Sequence, residues 1–195
     1  GDVYKRQGGE EGRDDDNDAW SSVVRLSGRS KRHTDSLSGH GRLSTMASQG
    51  TGYDLSASTY SPDGRIFQIE YATKAVENAG TAIGVRTKDG VVLGVENLIH
   101  SKLLVPGSNK RIFGVDKHIA LTSAGLTADG KHLAGRAREE AANCFDNYKQ
   151  KTPGKSLAER IALYMQAFTL YSSVRPFGAA AILGGVDEMH GPQLF

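Results

Sequence analysis

The stretch SPDGRIFQIEYATKAVENAG, residues 61–80, and the stretch TAIGVRTKDGVVLGVE that follows it, residues 81–96, decide the fold of this chain. The first opens on a Ser-Pro-Asp-Gly turn and continues with apolar residues every three or four positions, which predicts a short amphipathic helix over 65–77. The second predicts two strands, 81–86 and 90–96, joined by a Thr-Lys-Asp-Gly turn. A helix therefore stands in front of a sheet, where many hydrolases carry a nucleophile.

Downstream of this hairpin the sequence predicts more strands and two consecutive helices. The strands are predicted at residues 111–115, 118–124, 179–184 and 191–195. The first helix has Thr127 as its N-cap, ends near Tyr148 and is predicted to have an apolar face formed by Leu133, Ala137, Ala141 and Phe145. The second begins at a capping box formed by Ser156 and Glu159, and its apolar stripe reaches Tyr171. Because consecutive helices between runs of strands do not produce βαβ winding, this order predicts an α+β fold with two antiparallel sheets covered by helices.

Composition and charge exclude several classes of protein. The chain has 24 Lys and Arg against 22 Asp and Glu over 195 residues, a balance that does not favour nucleic acid as a partner. The single cysteine, Cys144, cannot form an internal disulfide, so we expect a reducing compartment and a buried structural thiol. No apolar run is long enough to predict a membrane span. Six His residues without metal-binding spacing and the lack of a GxGxxG motif predict neither a metal nor a cofactor.

The first 45 residues differ in composition from the rest of the chain. Charged residues, Ser and Gly dominate there, with few apolar positions. Such a segment buries too little apolar surface to offset the entropy of ordering, so we predict that residues 1–45 are a disordered extension outside the mature protein. Met46 is the predicted start, 46–64 a tail and turn, and 65–195 a folded domain cut off within its last strand. The basic run 28–33 is interpreted as a solvated charge run in preference to a nucleic-acid patch.

The segment YDLSASTYSPDGRIFQIEYATKAVENAG, residues 53–80, resembles the N-terminal signature of proteasome α-type subunits. The matching elements are Tyr-Asp at 53–54, Ser-Pro-Asp-Gly-Arg at 61–65, Gln-Ile-Glu-Tyr-Ala at 68–72 and Ala-Val at 75–76. The resemblance continues through GVVLGVE, GSNKRIFGVD, AGLTADGKHLAGRAREEA and VRPFG. It therefore covers essentially all of the chain from residue 50 onward.

This resemblance implies a fold, a complex and a location. The fold is a four-layer αββα sandwich of the N-terminal-nucleophile hydrolase type. The complex is the 20S proteasome core, in which a heteroheptameric ring of α-type subunits lies above β-type subunits and below a regulatory particle or other activators. The implied role is a non-catalytic structural and gating subunit in ubiquitin-dependent and ubiquitin-independent protein degradation, in the cytoplasm and nucleus. Neither a membrane nor nucleic acid is an expected partner.

The resemblance also implies that the chain itself is not catalytic. In active relatives the nucleophile is a threonine at the free N-terminus of the first strand, where its own amino group helps to activate the hydroxyl. Here Gly80, or at best Thr81, falls near that position, and both follow an ordinary peptide bond. The acidic residue after the second strand is Glu96 in place of the family's Asp. The alternative is a threonine-type peptidase released by processing before Thr81.

Four residues match the family's reverse-turn cluster, which controls an axial gate: Tyr53, Asp54, Pro62 and Tyr71. A proline fixes φ in the turn, and tyrosine hydroxyls and a carboxylate can form hydrogen bonds across subunit boundaries. A packed turn with a local bond from the Asp54 side chain is the alternative. The family usually has Arg where this chain has Leu55, so a role that needs that cation is in doubt.

The helix over 65–77 is predicted to serve assembly. Its apolar positions pack over the sandwich, and its polar positions are predicted to contact neighbouring subunits: Arg65, Gln68, Glu70 and Lys74. A surface helix of a monomer explains the same periodicity. Lys110 and Arg111 lie where many α subunits offer a lysine to the carboxylate of a docked activator, although an ordinary surface ion pair is the favoured interpretation. Arg175 is predicted to anchor the entrance of a strand through backbone or a carboxylate.

Overall fold

The alternation of apolar and polar residues produces three helices and six strands within residues 52–98, 101–105 and 107–195, which the computed structural model describes. In chain order they are α1 (Phe67–Glu77), β1 (Ala82–Arg86), β2 (Val91–Val95), β3 (Ile112–Asp116), β4 (Ile119–Gly125), α2 (Thr127–Tyr148), α3 (Gly154–Ala167), β5 (Ala179–Asp187) and β6 (Gly191–Leu194). The interpretations of residues 1–45 and of the tail up to residue 51 lie outside the described residues. Among the helices described, none is long and apolar enough to cross a membrane.

The strands form two antiparallel sheets. Strands β1 and β2 pair as a hairpin, with Gly84 opposite Leu93. The larger sheet has the order β3-β4-β5-β6, and every neighbouring pair in it is antiparallel. The predicted strand ends are correct to within one residue, except that β5 continues to Asp187 to pair with β6.

The larger sheet carries α2 and α3 on one face. Alternate residues of β4, among them Ile119 and Leu121, join Leu133 of α2 and Leu157 and Ile161 of α3 in the main core. Burial of each such side chain stabilises the fold by about 1.5–3 kcal/mol relative to exposure. The remaining members of this core are Phe113, Val115, Ala134, Ala137, Ala141, Ala179 and Leu183.

The other face of the larger sheet packs against the β1–β2 hairpin. A Cβ atom added at Gly84 would lie 2.8 Å from Leu194 Cδ1, and one added at Gly184 would lie 2.6 Å from Val91 Cγ1. Glycine therefore permits the two sheets to approach closely at both points. This face-to-face pair with helices outside confirms the predicted α+β sandwich, and the described residues provide three of its four predicted layers.

Both predicted N-caps are wrong. Helix α2 begins at Thr127 itself, and Leu126, with an extended backbone, holds the N-cap position. Helix α3 begins at Gly154, two residues before the predicted capping box, because Pro153 has φ of −62° and directs the chain into the helix. Helix α3 also ends at Ala167, so the predicted stripe does not reach Tyr171, which is exposed.

Two side chains predicted to be buried lie nearer the surface. Phe145, predicted on the apolar face of α2, has an exposed ring, because the buried face of that helix ends at Ala141. Cys144 precedes it and is half-buried, so the prediction of a fully buried thiol is wrong.

Helix α1 lies apart from α2 and α3, at the start of β5 and the end of β4. A Cβ atom added at Gly178, just before β5, would lie 3.5 Å from Ala75 Cβ and 2.8 Å from Leu126 Cδ1. The helix therefore reaches the loops that enter β5 and leave β4. This position brings the turn before α1 to one end of the sandwich.

Candidate functional site at the signature turn and helix

The turn before α1 is closed by three hydrogen bonds. The Ser61 N–H donates to the Arg65 carbonyl at 2.9 Å, and the Arg65 N–H donates to Ser61 Oγ at 3.0 Å. The Gly64 N–H donates to the Ser61 carbonyl at 2.9 Å, and Gly64 has φ of +76°, which glycine adopts without strain. Ser61 is buried, whereas Pro62 is exposed. Ser61 was not among the predicted site residues, although a Ser at the first position of a turn is a common signal.

Asp54 is held against α1 by two contacts. The Tyr71 hydroxyl donates to Asp54 Oδ2 at 3.3 Å, and the Gln68 side-chain amide donates to the Asp54 carbonyl. Partial burial raises the pKa of the Tyr71 hydroxyl above its usual value, and the nearby Asp54 carboxylate raises it further. The structure thus brings together Asp54, Gln68 and Tyr71 from the predicted set, while Tyr53 lies exposed one residue before Asp54.

Arg65 and Glu70 form a bidentate ion pair at the start of α1. Arg65 Nε lies 2.7 Å from Glu70 Oε1, and Nη2 lies 2.5 Å from Oε2. The guanidinium also lies 4.8 Å from the centre of the Phe67 ring. Hydrogen bonding to Arg65 lowers the pKa of the Glu70 carboxyl, and the same bond raises that of Arg65. Two of the predicted ring-contact residues are therefore partners of each other.

The remaining predicted cations differ in their surroundings. Lys74 and Lys110 are exposed, and no side-chain hydrogen bond or ion pair is seen for either within the described part of the chain. Arg111 is half-buried, and its Nη1 donates to the Gly125 carbonyl at 2.8 Å. Its own carbonyl accepts from the Ser123 N–H at 3.0 Å. Arg111 thus joins the start of β3 to the end of β4.

The position aligned with a catalytic nucleophile is part of the hairpin backbone. The Thr81 N–H is a peptide amide that donates to Glu96 Oε2 at 3.3 Å, and the Thr81 carbonyl accepts from the Glu96 N–H at 2.8 Å. A Cβ atom added at Gly80 would lie 3.2 Å from the Glu96 carbonyl oxygen. A free amine at Thr81 would require cleavage of the peptide bond between Gly80 and Thr81. Glu96, predicted to depart from the family's catalytic Asp, here accepts the bond from the Thr81 amide.

Arg175 anchors the entrance of β5 as predicted, and its partner is Asp129. The guanidinium binds the carboxylate through two N–H···O contacts of 2.8 Å, and the Gly178 N–H donates to the same carboxylate at 2.8 Å. Asp129 is 7% exposed, in the first turn of α2. Hydrogen bonding to Arg175 lowers the pKa of the Asp129 carboxyl. The sequence contains no local signal for this role of Asp129, because its hydrogen-bond partners lie 46 and 49 residues away.

A second concave region in the described part of the chain lies away from the predicted site residues. A cleft of about 510 Å³ lies between α2 and α3, lined by polar groups such as Asn143, Asn147 and Arg160. None of the predicted site residues lines it. Across residues 52–98, 101–105 and 107–195 no group of His, Cys, Asp and Glu side chains is arranged to hold a metal ion.

Comparison with known proteins agrees with this architecture. Residues 76–195 match the proteasome subunit family, and residues 53–75 match the N-terminal signature of its A-type members. An alpha type-3 proteasome subunit of Spinacia oleracea is 56% identical over 150 residues, which cover 77% of this chain and 60% of the relative. An alpha type-3 proteasome subunit of Drosophila melanogaster is also 56% identical, over 77% of this chain and 59% of the relative.

A third relative carries a different number in its name. A probable alpha type-7 proteasome subunit of Saccharomyces cerevisiae is 56% identical, over 77% of this chain and 52% of the relative. The segments GTGYDLS and GSNKR predicted a likeness to the alpha type-3 group, and these relatives confirm it. The chain spans about 60% of the length of the first of these relatives. On the match of residues 53–195, the chain belongs to the proteasome subunit family and carries the alpha-type N-terminal signature.

Proposed function

We propose that this chain is a non-catalytic member of the α ring of the 20S proteasome core, in which the turn and helix of residues 53–77 control the entry of substrates. The observation that carries this proposal is the attachment of Asp54 to α1 through Tyr71 and Gln68. That attachment fixes Asp54 relative to α1, at the base of the proposed gate segment. A gate segment that is attached at Asp54 can switch between covering a pore and leaving it open when the contacts of Asp54 change slightly.

The turn of residues 61–65 supplies the rigid side of this arrangement. Three backbone and hydroxyl hydrogen bonds close it, and Pro62 restricts its backbone further. The contact between Tyr71 and Asp54 supplies the adjustable side, because its oxygen atoms are 3.3 Å apart and both side chains are partly open to solvent. A long, partly hydrated hydrogen bond contributes little and is easily exchanged for a bond to water or to a neighbour.

The replacement Tyr71→Phe tests the gating role. It removes only the hydroxyl that bonds to Asp54, so we expect peptide hydrolysis by the assembled, activator-free particle to rise by about twofold to fivefold. The matched control is Tyr148→Phe, which removes an exposed hydroxyl at the end of α2. Hydrolysis of a short fluorogenic peptide by purified particles is the measurement. Equal rates for the wild type and Tyr71→Phe would contradict the gating role and leave assembly untouched.

The replacement Thr81→Ala tests the absence of catalysis. The Thr81 side chain is exposed, and its amide and carbonyl, which survive the replacement, carry the bonds to Glu96. We therefore expect every peptidase activity of the assembled particle to remain within error of the wild type. Loss of one activity, together with a mature N-terminus at Thr81, would establish the processed threonine peptidase instead.

The partners follow from membership of such a ring. Other α-type subunits would lie on either side, β-type subunits below, and a regulatory particle or other activators above, in the cytoplasm and nucleus. Arg65, Gln68, Glu70 and Lys74 are proposed to meet neighbouring subunits, although Arg65 and Glu70 would do so as a pair. Lys110 is the better candidate for an activator carboxylate, since it is exposed while Arg111 is bonded to Gly125.

A further inference from the structure

The chain contains three Asp-Gly pairs, Asp63-Gly64, Asp89-Gly90 and Asp129-Gly130, and the structure treats them differently. An Asp-Gly pair can rearrange without any enzyme, because glycine has no Cβ to hinder attack by its own amide nitrogen on the preceding side chain. We infer that Asp89-Gly90 is the site at which this chain undergoes covalent backbone isomerisation to isoaspartate, and that the Thr87 hydroxyl restrains the reaction.

The chemistry is a balanced rearrangement. The Gly90 amide nitrogen attacks Asp89 Cγ, a new N–Cγ bond forms, and the carboxyl oxygen leaves with two protons as water, which gives a cyclic succinimide. Water then opens the ring. Cleavage of the N–Cγ bond restores Asp89, whereas cleavage of the bond to the original backbone carbonyl carbon leaves the chain running through Cγ. The product has the same mass as the starting chain and a free α-carboxylate, and no oxidant or reductant takes part.

Asp129-Gly130 has the geometry least suited to this reaction. Arg175 holds both oxygens of the Asp129 carboxylate at 2.8 Å, and the Gly178 N–H holds one of them at 2.8 Å. The Gly130 N–H donates to the Leu126 carbonyl at 3.0 Å as part of α2. Both reacting groups are therefore buried and fixed by bonds that the reaction would have to break.

Asp63-Gly64 is exposed but its nucleophile is restrained. The Gly64 N–H donates to the Ser61 carbonyl at 2.9 Å, inside a turn that two further bonds between Ser61 and Arg65 close. Pro62 fixes φ immediately before Asp63. The carboxylate is free to move, but the backbone that must rotate to meet it is held on both sides.

Asp89-Gly90 is the pair in which a side-chain hydroxyl, in place of a backbone carbonyl, holds the N–H of the glycine. It lies in the exposed turn between β1 and β2, where the Gly90 N–H donates only to the Thr87 hydroxyl, at 3.1 Å. The Gly90 carbonyl is held separately: it accepts from the Thr87 hydroxyl at 2.9 Å and from the Thr87 N–H at 2.8 Å. The Thr87 hydroxyl is therefore the group that restrains the nucleophile, the Gly90 amide nitrogen.

The test is ageing of the full chain at neutral pH and physiological temperature, followed by peptide mapping with a protease that cleaves before Asp but not before isoaspartate. We expect isoaspartate at position 89 to exceed that at position 63 several-fold, with none above background at 129. Thr87→Val, which removes the hydroxyl and keeps the side-chain shape, should accelerate the reaction at 89 several-fold and leave 63 unchanged. Gly90→Ala should suppress it, and the added Cβ would meet no atom within 4 Å, so the fold is preserved.

A parallel sample in denaturant separates structure from sequence. Once the chain is unfolded, the three pairs should react at similar rates, because all three have the same local sequence Asp-Gly. Similar rates at all three positions in the folded chain would overturn the inference, as would a Thr87→Val chain that reacts at the wild-type rate. Far-ultraviolet circular dichroism establishes that the samples aged without denaturant remained folded.

Discussion

The replacement Gly125→Ala is expected to lower the free energy of unfolding by about 3–5 kcal/mol. Gly125 ends β4 with φ of +111°, a backbone conformation that alanine adopts only with strain. A Cβ atom there would also lie 2.2 Å from the Gly178 carbonyl oxygen and 2.8 Å from Ala179 Cα. Both atoms belong to backbone, so no side chain can rotate to relieve the overlap.

Urea denaturation of the variant and of Gly135→Ala provides the comparison. Gly135 lies inside α2, and a Cβ atom added there meets nothing within 4 Å. Alanine is a better helix former than glycine, so the control should gain up to about 1 kcal/mol. A Gly125→Ala chain as stable as the wild type would mean that the contact of β4 with the entrance of β5 is looser than the structure has it. Gly178 also lies beside Ala75 of α1, so the variant should loosen that helix as well.

The replacement Asp129→Asn is expected to cost about 2 kcal/mol of stability. Removing the charge from one partner of a buried ion pair costs about 3–5 kcal/mol, and the value is smaller here because the Arg175 side chain is 60% exposed and can turn to water. The asparagine keeps the size of the side chain but loses one of the oxygen acceptors that now meet Arg175 and the Gly178 N–H. The entrance of β5 would lose its bond to the first turn of α2.

The cost of Asp129→Asn should depend on pH in one direction. Because the folded state lowers the pKa of Asp129, its ionised form stabilises the fold above the unfolded pKa of about 3.9. That contribution is lost as the pH falls through the lower, folded pKa. The stability difference between wild type and variant should therefore be constant near neutral pH and shrink in acid. A difference that grows on acidification would contradict the proposed pair.

Glu139→Gln is the matched control for this pair. It makes the same chemical change on the same helix, at an exposed carboxylate 3.3 Å from Arg136. Exposed ion pairs contribute little to stability, so Glu139→Gln should change the free energy of unfolding by no more than about 0.5 kcal/mol between neutral and acid pH. If the control lost as much stability as Asp129→Asn, general charge effects on α2 would explain both results, and the specific role of Asp129 would be withdrawn.

Local patterns in the sequence predicted the elements of this fold but not the first residues of its longer helices. Periodicity placed every strand to within one residue at its start, because alternation reports which face is buried. It failed at the helix starts, where Leu126 and Pro153 precede α2 and α3 without any side-chain capping bond. Tertiary contacts stabilise those ends instead, as Asp129 does through Arg175. Neither periodicity nor capping rules contain that information.

In the candidate site, too, local sequence predicted some features and not others. The turn of residues 61–65 follows from its own sequence, since Ser, Pro, Asp and Gly each favour a turn position. Local sequence does not predict the contact between Asp54 and Tyr71, which are 17 residues apart. Only the resemblance to a family placed the two residues in one cluster. The pairing of Arg65 with Glu70 was not predicted, because a spacing of five residues is not a standard contact within a helix. Arg65 lies before α1, and its side chain extends along the first turn of the helix to Glu70.

The measurement that tests the central claim most directly is the native size and composition of the tagged, full-length protein isolated from its own cells. The proposed function predicts that it elutes in one large particle together with other α-type chains and with threonine-type peptidase activity. Its own N-terminus should precede Thr81, because the signature turn and α1 remain attached. A monomer or a small complex without α-type partners and without that activity would contradict the proposed place in the ring.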